Sequence, residues 1–176
     1  VIPINSDPTM DSLLAEYFEN HTKKIPTDLE YFEVFFTPND LNRLEQNLPV
    51  PADGMWLEFK KEHLKVTESL KPNDNTVVIY PLFTSAAYKE PGFYTYFRGD
   101  CDESCIVDVS FENPEIKYTS SGMTTQILYL LGYEFVTDID VDKNPQILKN
   151  YDTVIVLHNE YVTKKMFDAI STHPNL

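Results

Sequence analysis

The sequence predicts an α/β fold in which parallel strands alternate with helices on both faces of the sheet. Short apolar, β-branched runs recur after residue 75, at Thr76 to Tyr80, Glu134 to Ile139 and Asp152 to Leu157. Helical patterns lie between them, such as the apolar stretch Met123 to Leu131, which Gly132 ends. We therefore expect the three runs to be neighbouring parallel strands joined by right-handed crossovers.

A turn-rich break at residues 71–75 divides the chain into two predicted regions. Residues 1–74 form a mostly helical appended region, and residues 75–176 form the α/β domain. The predicted elements before the break are a helix over 9–20, an aromatic apolar segment over 31–36, a helix over 37–47 and a stretch, 55–70, whose spacing fits either a helix or strands.

Further elements are predicted after the break. The segments Phe93 to Phe97 and Ile106 to Phe111 are expected to form an antiparallel excursion from the sheet. Asn144-Pro145 caps a short helix that runs through Asn150, and Thr163 caps the last helix. The acidic run Asp138 to Asp142 resembles the start of a calcium loop. It lacks the glycine and the terminal glutamate of such a loop, so we interpret it as a strand end and a solvated turn.

Composition limits the classes of partner. The chain has 176 residues, 42% of them hydrophobic, which is enough to form a substantial core. Its formal charge of −14 argues against binding to nucleic acid or to an anionic membrane. No apolar run approaches the ~20 residues that would insert across a bilayer.

The two cysteines stand close together, in Cys101-Asp-Glu-Ser-Cys105. A small disulfide is the favoured interpretation, with free thiols or a metal or redox site as the alternatives. The chain does not begin with Met, and His173-Pro174-Asn175-Leu176 follows the last helix where a further strand would normally begin. These features predict a fragment of a longer, extracytoplasmic or secreted protein, with a cytoplasmic location as the alternative.

Polar side chains follow the third predicted strand, in His158-Asn-Glu160-Tyr161. Because strand side chains alternate, His158 and Glu160 project to one side at the carboxyl end of the strand, where open parallel sheets bind ligands. The alternative is a solvated strand end that leads into a helix. Nucleotide binding and nucleophilic acyl transfer lack their motifs, because no glycine-rich turn follows the first strand and no nucleophile elbow is present.

Several short blocks occur in a recognisable order: Val109-Ser-Phe-Glu-Asn-Pro114, Gly132-Tyr-Glu-Phe-Val-Thr-Asp-Ile-Asp140, Tyr151-Asp152 and His158-Asn-Glu-Tyr161. Through this ordered series of blocks, the chain resembles the large subunit of the N,N-dimethylformamidase family over roughly residues 76–172. The resemblance implies a flavodoxin-like, class I glutamine-amidotransferase-like domain. It also implies hydrolysis of a small amide at an iron ion that two tyrosines and a glutamate bind.

On this resemblance, Glu160 and Tyr88 are ligand candidates, Tyr118 is the nearest candidate for the second tyrosine, and His158 is the catalytic candidate near the metal. A highly charged ion such as ferric iron is needed to deprotonate phenols at neutral pH. The alternative function is a non-catalytic binding or cell-envelope module that kept the scaffold without its chemistry.

Overall fold

The computed structural model describes residues 9–50, 54–72, 74–107 and 121–176 as a mixed α/β protein. The elements before the break are α1 (Met10–Asn20), β1 (Lys23–Ile25), β2 (Phe32–Phe36), α2 (Pro38–Glu45), β3 (Met55–Phe59), a 3-10 helix (Lys61–His63) and α3 (Leu64–Glu68). Those after it are β4 (Thr76–Tyr80), α4 (Leu82–Ala87), α5 (Phe93–Phe97), α6 (Ser104–Val107), α7 (Gly122–Leu130), β5 (Glu134–Thr137), α8 (Asp138–Lys143), a 3-10 helix (Pro145–Asn150), β6 (Thr153–Val156) and α9 (Lys164–Ser171).

The region before the break contains an antiparallel sheet as well as the predicted helices. Its strand order is β1-β2-β3, and Val34 on β2 lies opposite Leu57 on β3. The prediction of a mostly helical region therefore needs correction, because the aromatic segment is a strand and the ambiguous stretch is a strand followed by a helix. Val34, Phe36 and Leu57 are buried on one face of this sheet. Pairing between segments about twenty residues apart is not visible in local spacing.

The second sheet is parallel, with the order β5-β4-β6, as the sequence predicted for its three strands. The central strand β4 is buried along its whole length, which suits a run of threonine, valines, isoleucine and tyrosine. Strand β5 ends at Thr137, two residues before its predicted end, because Thr137 caps α8. The outer edge of β6 accepts a later segment, since the Val154 N–H donates to the Asn175 carbonyl at 3.1 Å.

Two segments after β4 differ from their predictions. Phe93 to Phe97 is the helix α5 instead of a strand, and its Phe93 and Phe97 rings stack one turn apart at 6.2 Å. The first residues of the segment from Ile106 to Phe111 lie in α6, and the rest lies outside the described residues. Aromatic β-propensity is weak and here gives way to packing within a helix.

The acidic run Asp138 to Asp142 is part of α8, not a strand end and a solvated turn. Thr137 and Asp140 form a capping box, in which the Asp140 N–H donates to the threonine hydroxyl at 3.2 Å. Val141 is fully buried in this helix. Other local predictions are confirmed, since Gly132 follows α7 with φ of +83° and Thr163 caps α9.

A shared core joins the two sheets. Trp56 on β3 packs in one cluster with Tyr80, Leu82 and Ile139, and α1 contributes its apolar face to the same cluster. The predicted boundary between residues 74 and 75 stays a prediction. No helix in the described part of the chain is long and apolar enough to cross a membrane.

The cysteine pair is confirmed as a disulfide. The Cys101 and Cys105 sulfurs lie 2.09 Å apart. Cys101 lies in the connection between α5 and α6, and Cys105 lies in the first turn of α6. The disulfide is compatible with the secreted location, which stays a prediction.

Candidate functional site

Tyr88, His158 and Glu160 meet at the carboxyl edge of the parallel sheet. Tyr88 follows α4, which itself follows β4, and the other two residues follow β6. The Tyr88 hydroxyl donates a hydrogen bond to Glu160 Oε2, and His158 Nε2 lies 2.6 Å from Glu160 Oε1. The expectation that these side chains converge is therefore confirmed, because neighbouring parallel strands deliver their loops to one edge.

Thr84 fixes the loop that carries Glu160. Its hydroxyl oxygen accepts hydrogen bonds from the backbone N–H groups of Glu160 at 3.0 Å and Tyr161 at 3.1 Å. The residue is completely buried on α4. Helix α4 thus ties the end of β6 to the end of β4 and holds the Glu160 backbone beside Tyr88.

Aromatic packing positions the Tyr88 ring. It stacks on Tyr94 at 5.2 Å and meets Phe93 and Tyr161 edge-on, at 5.8 and 5.9 Å. Gly92 makes this arrangement possible, because a Cβ atom there would collide with the backbone oxygens of two preceding residues, Ala87 and Lys89. The chain can therefore fold back closely enough for α5 to cover the tyrosine.

The electrostatics of the cluster keep the shared proton on the phenol. The hydrogen bond from Tyr88, and then the one to His158, lower the pKa of Glu160 below its ordinary value. The same bond to Glu160, with partial burial, raises the pKa of Tyr88. Burial, and then the nearby Glu160 charge, raises the pKa of Tyr161 as well. At neutral pH the pair is a carboxylate that accepts a hydrogen bond from a neutral phenol.

The donor atoms of this cluster suit a hard cation. A phenol oxygen and carboxylate oxygens already lie in direct contact, as two ligands of one ion would. Tyr118, the third ligand candidate, lies outside the described residues. Among the described side chains, no group of three or more His, Cys, Asp or Glu is arranged to hold a metal. The role of Tyr88 and Glu160 as metal ligands stays a prediction.

Two residues at this edge were not identified from the sequence. Thr84 lies in Leu82-Phe-Thr-Ser-Ala, directly after the central strand, and that position is the signal that could have found it. Asp138 follows β5 and accepts a hydrogen bond from the Phe83 N–H at 3.0 Å. Its burial raises its pKa to about 7. Helix α4 is therefore bonded to the ends of both neighbouring strands.

The fold and the site together define a mixed α/β protein with a tyrosine, carboxylate and histidine cluster at the carboxyl edge of a parallel sheet. No protein-family model, no curated protein and no solved structure matches this chain. The resemblance to the N,N-dimethylformamidase family, with the flavodoxin-like topology that it implies, therefore rests on the sequence blocks alone.

Proposed function

We propose that this protein is a metal-dependent hydrolase of the N,N-dimethylformamidase type, which cleaves the C–N bond of a small amide. Tyr88 and Glu160 are the proposed iron ligands, with Tyr118 as the third, and His158 is the proposed acid–base residue. The observation that supports this most is the hydrogen bond from the Tyr88 hydroxyl to the Glu160 carboxylate, with His158 Nε2 at 2.6 Å from the other oxygen of that carboxylate. Bound ferric iron would polarise the amide carbonyl and acidify a water molecule.

The residues themselves would act through proton positions. Glu160 is held in its ionised form, ready to bind a cation, because Tyr88 and His158 lower its pKa. Tyr88 must release its hydroxyl proton to become a ligand, and its raised pKa makes this release unfavourable in the absence of a cation. Metal binding would therefore release a proton and strengthen with rising pH.

In this proposal, His158 would move protons between the cluster and solvent. Its side chain is about half exposed, at 48%, while Nε2 contacts Glu160. An imidazole can accept a proton from an attacking water and return it to a departing amine. The contact with Glu160 orients the ring for that exchange.

A non-catalytic binding module is the second candidate. The observation in its favour is that the Tyr88 hydroxyl already has a hydrogen-bond partner in Glu160, while three aromatic rings pack around the phenol. A tyrosine with its hydroxyl satisfied and its ring packed is a common structural element.

Titration of the purified protein with ferric iron distinguishes these functions. For the hydrolase we expect one iron to bind per site and to give a tyrosinate-to-iron charge-transfer absorption. Tyr88→Phe should remove the contribution of this residue to that absorption, and Glu160→Gln should weaken iron binding at least tenfold. Tyr129→Phe is the matched control, because Tyr129 is an exposed tyrosine on α7 and should leave both unchanged.

The released amine provides the second measurement. Incubation of the iron-loaded protein with a small N,N-dialkylamide should produce the dialkylamine, and His158→Asn should reduce that rate while iron stays bound. Absence of iron binding, or an absorption that is identical in Tyr88→Phe, would contradict the hydrolase and favour the module.

A further inference from the structure

A cavity remote in the chain from Tyr88 and Glu160 lies between α1, β3, α3 and α7. Its volume is about 590 Å³. Cavities of ~300–1,000 Å³ are typical of sites for small molecules. Tyr88, His158 and Glu160 do not line it, so it raises a separate question of function.

The walls of this cavity are apolar. Leu14 and Trp56 are buried within it, and the Phe18 ring meets the indole edge-on at 5.8 Å. Leu64 and Tyr129 also line it, and each is at least 40% exposed, as Phe18 is. Large apolar side chains exposed around one concave surface are characteristic of a binding site.

Two acidic residues line the same cavity. On β3, Glu58 lies two residues after Trp56 and so projects to the same face of the strand, beside the indole. On α1, Asp11 shares a helix face with Leu14 and Phe18, at spacings of three and seven residues. Among the described residues that line the cavity, none carries a positive charge.

The carboxylate of Glu58 lies in a locally acidic environment. It stands directly opposite Glu33 in the antiparallel pairing of β2 and β3, and the neighbouring Lys24 forms an ion pair with Glu33. Neither Asp11 nor Glu58 forms an ion pair with a described residue. Lys24 is thus engaged by Glu33, and a cation bound beside Glu58 would supply the counter-charge that Glu58 lacks among the described residues.

We propose that this cavity binds a small organic cation with an aromatic or bulky apolar body. The body would occupy the space between Leu14, Phe18 and Trp56. The ammonium group would lie between the indole face and the carboxylates of Asp11 and Glu58, where cation–π attraction and charge act together. The net charge of −14 would also raise the local concentration of cations.

Trp56 makes the proposal directly measurable, because it is the only tryptophan of the chain and it lines the cavity. The probes are three compounds of similar size: phenethylamine, a cation at neutral pH, 2-phenylethanol, which is neutral, and phenylacetate, an anion. We expect phenethylamine to change the tryptophan emission and to bind about tenfold more tightly than the alcohol, with the anion weakest. Added salt should narrow this difference.

Matched variants locate the site. The double change Asp11→Asn and Glu58→Gln should reduce phenethylamine binding to the level of the alcohol, whereas Glu19→Gln on the same helix should have no effect, because Glu19 does not line the cavity. Ala15→Phe should block all three probes. Ala15 is exposed at the cavity wall, so the larger side chain can enter the cavity without unfolding the helix.

Circular dichroism of each variant checks that the fold is retained. Equal binding of the three probes, binding that survives Ala15→Phe, or no binding by fluorescence and calorimetry would each overturn the proposal. None of these results depends on iron or on Tyr88, so the proposal stands or fails separately from the hydrolase.

Discussion

Asp138 places a carboxyl group inside the protein, at the first position of α8. The residue is 0% exposed. Its Oδ2 accepts the bond from the Phe83 N–H, whereas its Oδ1 has no hydrogen-bond partner among the described residues. Burial outweighs the hydrogen bonds and raises the pKa of this carboxyl from 3.8 to about 7. The folded protein therefore binds a proton here that the unfolded chain releases.

This proton gives a pH dependence of stability with a definite sign. Because the folded pKa is raised, the contribution is fully present below pH ~4 and is lost as the pH rises through 7. Between these limits the free energy of unfolding should fall by roughly 4 kcal/mol at most, from about three pKa units at 1.36 kcal/mol each. Asp138→Asn, which keeps an acceptor for Phe83, should remove this dependence and make the protein more stable than the wild type at pH 8.

Urea unfolding at pH 5 and pH 8 measures the effect. Asp28→Asn is the control, because Asp28 is exposed and its replacement should leave the pH dependence of the wild type unchanged. If Asp138→Asn and the wild type lose equal stability between these pH values, Asp138 is not the group responsible.

At the scale of elements, the side chain of Gln126 makes hydrogen bonds to β3 of the kind that a neighbouring strand would make. Its side-chain Oε1 accepts from the Leu57 N–H at 3.1 Å, and its Nε2 donates to the Met55 carbonyl at 3.0 Å. These two backbone groups lie on the edge of β3 away from β2, and Gln126 is 1% exposed. One side chain on α7 thus satisfies the buried edge of the antiparallel sheet and attaches it to the second half of the molecule.

Gln126→Leu should therefore be strongly destabilising although it adds apolar surface. It leaves a buried N–H and a buried C=O without partners, each of which costs ~1–3 kcal/mol. We expect a loss of about 2–5 kcal/mol in the free energy of unfolding. Gln46→Leu, at an exposed position, should change stability by no more than about 0.5 kcal/mol. A similar result for both variants would contradict the role of the Gln126 bonds.

Local chemistry accounts for the elements that the sequence predicted well. The β-branched run of β4, the glycine after α7 and the threonine before α9 each act within a few residues. The antiparallel sheet escaped prediction because β2 and β3 pair across a segment that contains the helix α2. Tyr88 was selected on the family resemblance, and the direction of the parallel strands then predicted that it meets Glu160 at one edge of the sheet. The role of Thr84 could not be predicted from the sequence in this way, because its burial depends on the packing of α4 between two strand ends.

At the scale of the whole molecule, one core serves both predicted regions. Met10, Leu13 and Trp56 from the first region pack with Tyr80 and Leu82 from the second. Tyr80 and Leu82 are at most 1% exposed, and both precede Tyr88 in the segment that leads to the candidate site. The first region thus packs against the segment that connects β4 to Tyr88 and positions the site.

A fragment of residues 75–176 should consequently fail to fold alone. Exposure of each large core side chain costs ~1.5–3 kcal/mol, and domains of this size have only ~5–15 kcal/mol of stability in total. We expect the fragment to lack a cooperative thermal transition and near-ultraviolet circular dichroism, whereas the full chain should retain both. A cooperative transition in the fragment would support an independent domain that begins at residue 75.

The contact between Asn175 and β6 also bears on how the protein behaves at high concentration. Strand β6 is the β-branched apolar run Thr153 to Val156, and its outer edge is covered where the Asn175 carbonyl accepts from Val154 and the Asn175 side chain donates to the Asp152 carbonyl at 2.8 Å. An uncovered edge of this composition is a template for pairing with other molecules. Release of the contact made by Asn175, without unfolding of the rest, would therefore expose this edge to pairing with other molecules, and the rate of that release would determine how quickly concentrated protein aggregates.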